Sequence, residues 1–311
     1  MPDSCGGGKH GTAAPLAERP RRGIQIRSGE HAMDETLFFL HLPRTAGTTL
    51  NAVLHDNFAP ETVLSVYAKE DYERCRMLEA DVLERIRLIE GHLMPESFDP
   101  PSLYGRRLRM FTLLREPLSR LVSEYVFQKS WPENHLYAYL NENAVSFRDY
   151  LTSNDPLLKF RGRNFVTHCL AGVFAPDRNP DEVLALAKKH LEESFCFVGI
   201  QERFDESLLL LADEIGLQKL FHERRNMLRP GLADAVSAED RALAARLNNA
   251  DLELYAFART LFERRVAAAG PDFTARLRRF RFLNGKYQKM CATLEDTLVC
   301  ERAGPILKPK G

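Results

Sequence analysis

The 22 residues from Leu37 to Phe58 leave this chain few ways to fold. Phe38-Phe39-Leu40 and Leu42 form a short apolar run that Pro43 ends, the pattern of a buried strand. A polar loop follows, Pro43-Arg44-Thr45-Ala46-Gly47-Thr48-Thr49. Leu50, Val53, Leu54 and Phe58 then recur at offsets 0, 3, 4 and 8, the apolar stripe of a helix. Strand, glycine-bearing loop and helix N-terminus aim backbone N–H groups and the positive end of a helix dipole at one place, which suits an anion and above all a phosphate. The Walker loop, GxxxxGK followed by Ser or Thr, is absent: there is one glycine, and the basic residue Arg44 precedes it. On spacing alone, phosphate binding and an ordinary strand-to-helix turn are both open.

Length and composition narrow the classes. The 311 residues suit one large or two small domains, and 43 Lys+Arg against 43 Asp+Glu leave no global charge to attract nucleic acid. No apolar run reaches the roughly 20 residues of a membrane helix, and no hydrophobic leader opens the sequence. The six cysteines, Cys5, Cys75, Cys169, Cys196, Cys291 and Cys300, lie at wide, irregular spacings that suggest neither a zinc site nor a disulfide framework.

Taken in order, residues 1–32 are Gly-, Pro- and Arg-rich without a period and read as a tail or tag, with Met33 just ahead of the first strand. Residues 59–86 run through Tyr67 into a charged, helix-like segment. Arg87–Leu93 predicts a second strand ending in Gly91-His92, and Arg109–Leu114 a third that delivers Arg115. Pro117 suits a first helical position, and Leu118, Leu121, Val122, Tyr125 and Val126 mark the buried face of the helix it opens. Arg115 and Ser123, eight residues apart, can bring a guanidinium and a hydroxyl onto one phosphate. The plainer alternative pairs Arg115 with Glu116 or Glu124 and leaves Ser123 in solvent. Helical excursions follow over residues 127–180 and include Trp131; Phe195–Gln201 reads as a fourth strand and Asn249–Arg265 as an amphipathic helix. The basic run Arg276, Arg278, Arg279 and Arg281 suits either an acidic acceptor or a solvated helix face, and from Cys300 the chain reads as a loose tail. Parallel strands alternating with helices give an α/β fold, with ligands expected at the carboxyl ends of the strands.

Several segments resemble one family. PRTAGTTL is similar to PKTAGTTL, the 5′-phosphosulfate loop of the Golgi-type and bacterial carbohydrate sulfotransferases, among them the heparan sulfate 2-O-sulfotransferase-like enzymes; Arg44 stands where the family usually has Lys. FTLLREPLSRLVSEY resembles the family's 3′-phosphate motif LRDPxxRxxSxY, with Glu116 for Asp. Gly91-His92 matches a Gly-His after the second strand. NFVTHCLAG resembles NxxTRxLxG with His168 for Arg, which hints at an altered acceptor site. VGIQERFDESLLLL is similar to VGLTERFDESLxLL, FHERRNMLRPG to the lid over the nucleotide, and the stretch from Asn248 to NxxDxxLYxxAxxLF. The likeness runs from about Thr36 to Arg265, roughly three quarters of the chain.

The resemblance implies a P-loop-NTPase-like sulfotransferase fold, a central parallel sheet flanked by helices, with residues 33–270 as the sulfotransferase domain and 271–311 as a helical extension and tail. It implies 3′-phosphoadenosine-5′-phosphosulfate (PAPS) as donor, 3′,5′-ADP as product, and a carbohydrate, lipid or small-molecule acceptor, without metal or nucleic acid. Thr45, Ala46, Gly47, Thr48 and Thr49 would cradle the 5′-phosphate and sulfate through amides and hydroxyls. Arg44 would stabilise the leaving oxygen, Arg115 and Ser123 would hold the 3′-phosphate, Asn226 and Arg229 would close over the nucleotide, and His92 would act as base. Glu90 is the reserve candidate for the base, and His168 a weaker second one. Golgi members carry an apolar anchor, so its absence here predicts a soluble, cytoplasmic, bacterial enzyme. Two rivals stay open: a nucleotide-dependent kinase, which would need a magnesium-binding carboxylate, and a non-catalytic nucleotide-binding protein of the same fold.

Overall fold

The computed structural model describes residues 35–75, 77–92, 107–174, 178–223 and 236–303. Phe38, Phe39 and Leu40 are almost wholly buried, so their strand needs cover on both faces. That strand, β1 (Glu35–Leu40), is the middle one of a five-stranded parallel sheet. Its companions are Val63–Val66 (β2), Leu88–Gly91 (β3), Arg107–Leu114 (β4) and Phe195–Ile200 (β5), in the order β2-β3-β1-β4-β5. The helices between and after them are α1 (Gly47–Asn57), α2 (Lys69–Cys75), α3 (Ala80–Arg85), α4 (Pro117–Ser130), α5 (Tyr137–Glu142), α6 (Phe147–Thr152), α7 (Phe165–Ala171), α8 (Pro180–Glu193), α9 (Phe204–Ile215), α10 (Ala238–Leu247), α11 (Asn249–Ala268) and α12 (Phe273–Ala303). The expected α/β architecture around a central parallel sheet is present.

Because β1 lies between β3 and β4, the connections leave it toward opposite edges of the sheet, which opens a crevice at the strand ends. The register aligns those ends: Leu40 sits opposite Gly91 on one side and Thr112 on the other. Two hydrogen bonds fix the exit, His41 N to Gly91 O at 2.8 Å and Thr112 Oγ1 to Leu40 O at 2.8 Å. The segment 59–86 holds what its composition hides, the short edge strand β2, which carries Tyr67 to the same crevice; two short helices, α2 and α3, replace the single helical run. β1, α1 and β3–β5 bury one large core, and Phe273, Leu277 and Phe280 of α12 join it. A second core forms where Leu121, Val122 and Val126 of α4 meet Leu140, Phe147, Tyr150 and Leu151. α12 continues through Ala303, so Cys300 is helical and not the start of a loose tail. Of the basic run, Arg276 pairs with Asp213, and Arg281 with Asp205 at 3.3 Å and Glu206 at 3.1 Å.

Two sequence segments interlock beside the second core. Asp251 of α11, buried, accepts Val166 N at 3.2 Å and both the amide and hydroxyl of Thr167 at 2.7 Å. Asn248 accepts Asn164 N at 2.8 Å and donates to Gly162 O at 2.9 Å. Asn164 and Thr167 therefore clamp α7 to α11. Replacing Asp251→Ala leaves these buried donors without an acceptor, at a cost of about 3 kcal/mol or more. Urea unfolding should show that loss with an unchanged m-value, and a loss below about 1 kcal/mol would mean the clamp is dispensable.

Candidate active site at the strand ends

The loop after β1 is held by its own atoms. Thr45 is fully buried and its hydroxyl donates to Leu42 O at 2.8 Å. Thr45 thus closes the turn instead of offering its hydroxyl to a ligand; Thr48 is the exposed threonine of the loop. Arg44 and Ala46 both have φ 66°, left-handed backbone that costs a non-glycine residue about 1 kcal/mol or more. Ala46 precedes α1 without a side-chain cap, so the helix presents its positive amide end to whatever the loop encloses. Gly47 is required for closeness: a Cβ there would fall 1.9 Å from Cδ2 and Nε2 of His41.

α4 supplies the facing wall. Glu116 caps it, accepting Leu118 N at 3.1 Å and Ser119 N at 2.7 Å, so the acidic residue of the second motif holds a helix end and not Arg115. Arg115 donates from Nη1 to Arg44 O at 3.2 Å, and Arg44 donates from Nε to Ser123 Oγ at 3.0 Å. The Arg44 guanidinium lies 4.5 Å from the Phe127 ring centre. A lysine has neither the fork nor the flat face for both contacts. Ser123 is fully buried and already engaged by Arg44. Arg120, one turn before it, is 1% exposed and 5.2 Å from the Phe165 ring, and its three guanidinium nitrogens have no hydrogen-bond partner among the described residues. Burial, and then the neighbouring Arg115, pull Arg44 below the ordinary arginine value; burial, with Arg120 close by, does the same to Arg115. Glu124 on the same helix is the carboxylate that counters Arg44.

Opposite the arginines stands an imidazole cluster. His92 Nδ1 donates to His41 O at 2.5 Å, so the carbonyl assigns the proton to Nδ1 and leaves Nε2 with its lone pair. Burial holds His92 below the usual histidine range, with Glu124 pulling the other way. The His41 and His92 ring centres are 4.9 Å apart, and Tyr67 meets His92 edge-on at 4.8 Å. His41 stacks on Phe39 at 5.4 Å and its Nδ1 pairs with Tyr67 Oη at 3.1 Å. Burial, then His92 and Arg44, push His41 down to about 3.

The strand ends thus bring Arg44 through Thr49, His92, Arg115 and Ser123 to one crevice. Asn226 and Arg229 lie outside the described residues. Glu90, buried, accepts His55 Nε2 at 3.0 Å and Ser65 Oγ at 2.8 Å through Oε1 and lies near enough to Tyr67 to raise its phenol. His168 Nδ1 donates to Val173 O at 2.7 Å, and its ring lies between Phe160 and Phe174. Sequence alone assigns no role to His41, Tyr67 or Arg120: His41 and Tyr67 lie outside the matched motifs, and Arg120 is the second arginine of the 3′-phosphate motif, with no contact assigned to it. Among the described residues, no group of three His, Cys, Asp or Glu side chains is placed to hold a metal ion.

The neutral burial of His41 has a measurable sign. Between pH 6.5 and about 3 the unfolded chain binds a proton at this imidazole that the folded chain refuses, so stability is lost as pH falls through that window. One such group costs roughly 1.4 kcal/mol per pH unit inside the window. The melting temperature should drop from pH 7 to pH 5, and His41→Gln should flatten that drop; equal slopes would show that His41 takes up its proton while folded.

Comparison with known proteins bears on the family of the chain. A family model described as galactose-3-O-sulfotransferase matches residues 10–306. Galactose-3-O-sulfotransferase 3 of Bos taurus is 27% identical over 266 residues, 76% of this chain and 58% of that protein. The protein of the same name from Mus musculus is 26% identical over 287 residues, 82% of this chain and 61% of that protein. The chain therefore spans about three fifths of the length of these curated relatives. A solved structure of mouse sulfotransferase SULT7A1 complexed with PAP matches with a TM-score of 0.34 at 14% identity, over 68% of this chain and 63% of that one, too slight a likeness to bear on the fold. These relatives overturn the expectation of a bacterial, cytoplasmic enzyme: they are mammalian proteins of the Golgi-type branch. The missing anchor was its ground, and an absent apolar segment is no guide in a chain that covers only part of its relatives; among the described residues no helix is long and apolar enough to cross a membrane. A match spanning nearly the whole sequence places this chain in the galactose-3-O-sulfotransferase family.

Proposed function

We propose that the chain transfers a sulfuryl group from PAPS to a galactosyl acceptor through the sugar's 3-hydroxyl. The observation that carries this is a chain of three arginines, Arg44 on Ser123, Arg115 on the Arg44 carbonyl and Arg120 close enough to lower Arg115, beside an uncapped helix N-terminus in a protein of zero formal charge. Half-buried guanidinium groups lowered by arginine neighbours, with the buried Arg120 beside them, call for an anion of more than one charge. A nucleotide phosphorylated at both the 5′ and 3′ positions meets that demand with one phosphate group for each turn. The galactosyl acceptor rests on the names of the relatives and on family membership.

In this reading the α1 amide end and the loop from Thr45 to Thr49 hold the phosphosulfate, and Arg115 with Arg120 hold the 3′-phosphate. Arg44, anchored on Ser123 and Phe127, reaches the departing 5′-phosphate oxygen and offsets its growing charge. His92 is kept neutral by burial and keeps Nε2 bare by giving its Nδ1 proton to His41 O, so it accepts the acceptor's hydroxyl proton during in-line attack on sulfur. Its depressed pKa puts the acid limb of the rate below the ordinary histidine value of about 6.5.

Replacing His92→Ala should lower transfer by roughly 10²–10⁴-fold while 3′,5′-ADP binding persists. A rate within a few fold of wild type removes His92 as base. Calorimetric titration should show 3′,5′-ADP binding at least about tenfold tighter than ATP, with Arg115→Ala erasing the difference. That factor is worth about 1.4 kcal/mol. A preference for ATP would turn the assignment toward a kinase.

A further inference from the structure

Resting on that reading, a second imidazole enters the chemistry. Tyr67 Oη has one proton to give and two neighbours to serve. Asn51 Nδ2 donates to it at 2.5 Å, and His41 Nδ1 lies 3.1 Å away. The oxygen accepts from Asn51, so its own proton goes to His41 Nδ1. Burial and the nearby Glu90 raise the phenol's pKa, which keeps that proton in place. An imidazole that accepts at Nδ1 carries its proton on Nε2. That Nε2 has no hydrogen-bond partner among the described residues, although His41 is only 9% exposed. It lies against Gly47, where a Cβ would come within 1.9 Å of it, at the amide end of α1. Unlike the Arg120 nitrogens, this Nε2 is not sealed from solvent, so its N–H is available to a ligand oxygen that displaces water.

We infer that His41 is a second catalytic residue, donating its Nε2–H to the phosphosulfate oxygen held over Gly47. Tyr67 and Asn51 are positioning residues that fix the tautomer. In the transfer, the acceptor oxygen forms a bond to sulfur as the bond from sulfur to the 5′-phosphate oxygen breaks. The acceptor's proton passes to His92 Nε2, and the electron pair stays on the 5′-phosphate oxygen. His41 transfers no proton; its hydrogen bond strengthens as charge gathers on the leaving side. A neutral donor suits this position, since Arg44 and His92 both oppose a positive charge there.

The test uses the full chain, PAPS and a galactosyl acceptor, with 3′,5′-ADP as the binding probe. His41→Ala should lower kcat by about 10²–10³-fold, the usual cost of one transition-state donor. His41→Gln, which returns an N–H near the same place, should recover at least about tenfold of that loss, and Tyr67→Phe should lower kcat with KM for PAPS nearly unchanged. All three should bind 3′,5′-ADP within a few fold of wild type. A His41→Ala rate near that of wild type overturns the donor role. So does a His41→Gln rate as low as that of His41→Ala, or loss of 3′,5′-ADP binding in both, because the ring would then serve packing against Gly47. Absence of transfer by the wild-type chain is a different failure: it overturns the sulfotransferase reading and this one with it.

Discussion

Arg44 joins the two halves of the site. Its carbonyl takes a hydrogen bond from Arg115, its Nε gives one to Ser123, and its flat face rests on Phe127. The loop after β1 and the turn into α4 are 71 residues apart in sequence, yet these contacts make them one surface. Without them each turn would be an ordinary strand-to-helix connection. The left-handed backbone at Arg44 follows from the same contacts: reaching α4 while leaving the carbonyl turned to Arg115 requires a conformation that most side chains avoid.

The strain at Arg44 and Ala46 and the glycine between Ala46 and Thr48 solve one packing problem. His41 leaves the end of β1 and folds its ring onto Gly47, which stacks Phe39, His41 and the first turn of α1 in a column without room for a single methyl. The Thr45 hydroxyl, turned inward to Leu42 O, locks that column. The loop is thus shaped from inside by buried contacts, and the amide end of α1 is left without a side-chain cap. Preorganised donors of this kind need no rearrangement when charge develops.

How much of this the sequence disclosed follows from which signals are local. The strand, loop and helix over Leu37–Phe58 were readable because alternation between apolar run, turn and 3.6-residue period survives in a short window. Arg115 and Ser123 were readable as a spaced pair within one motif. β2 escaped because four residues at a sheet edge carry no pattern of their own; pairing with β3 makes them a strand. His41 and Tyr67 escaped for a related reason. Where a strand-end side chain points depends on register with neighbours, and only the alignment of Leu40 with Gly91 sets His41 beside His92. Asn164 and Thr167 fitted a family segment tied to acceptor binding, yet their partners are Asn248 and Asp251, some 84 residues away. Long-range polar clamps leave no mark on either segment alone.

The charges in the crevice divide into two kinds, and the division explains why both are there. Guanidinium groups keep their protons at any working pH, so Arg44 and Arg115 can be lowered by burial and by a neighbouring arginine and still remain cations. Histidine has no such reserve. Burial drives His41 to its neutral form, and His92 and then Arg44 add to that push. The one carboxylate on that face of α4, Glu124, opposes this at both Arg44 and His92. Burial at the strand ends therefore leaves His92 neutral, and the His41 carbonyl, which holds its Nδ1 proton, together with Glu124 favours the charged ring and limits that shift.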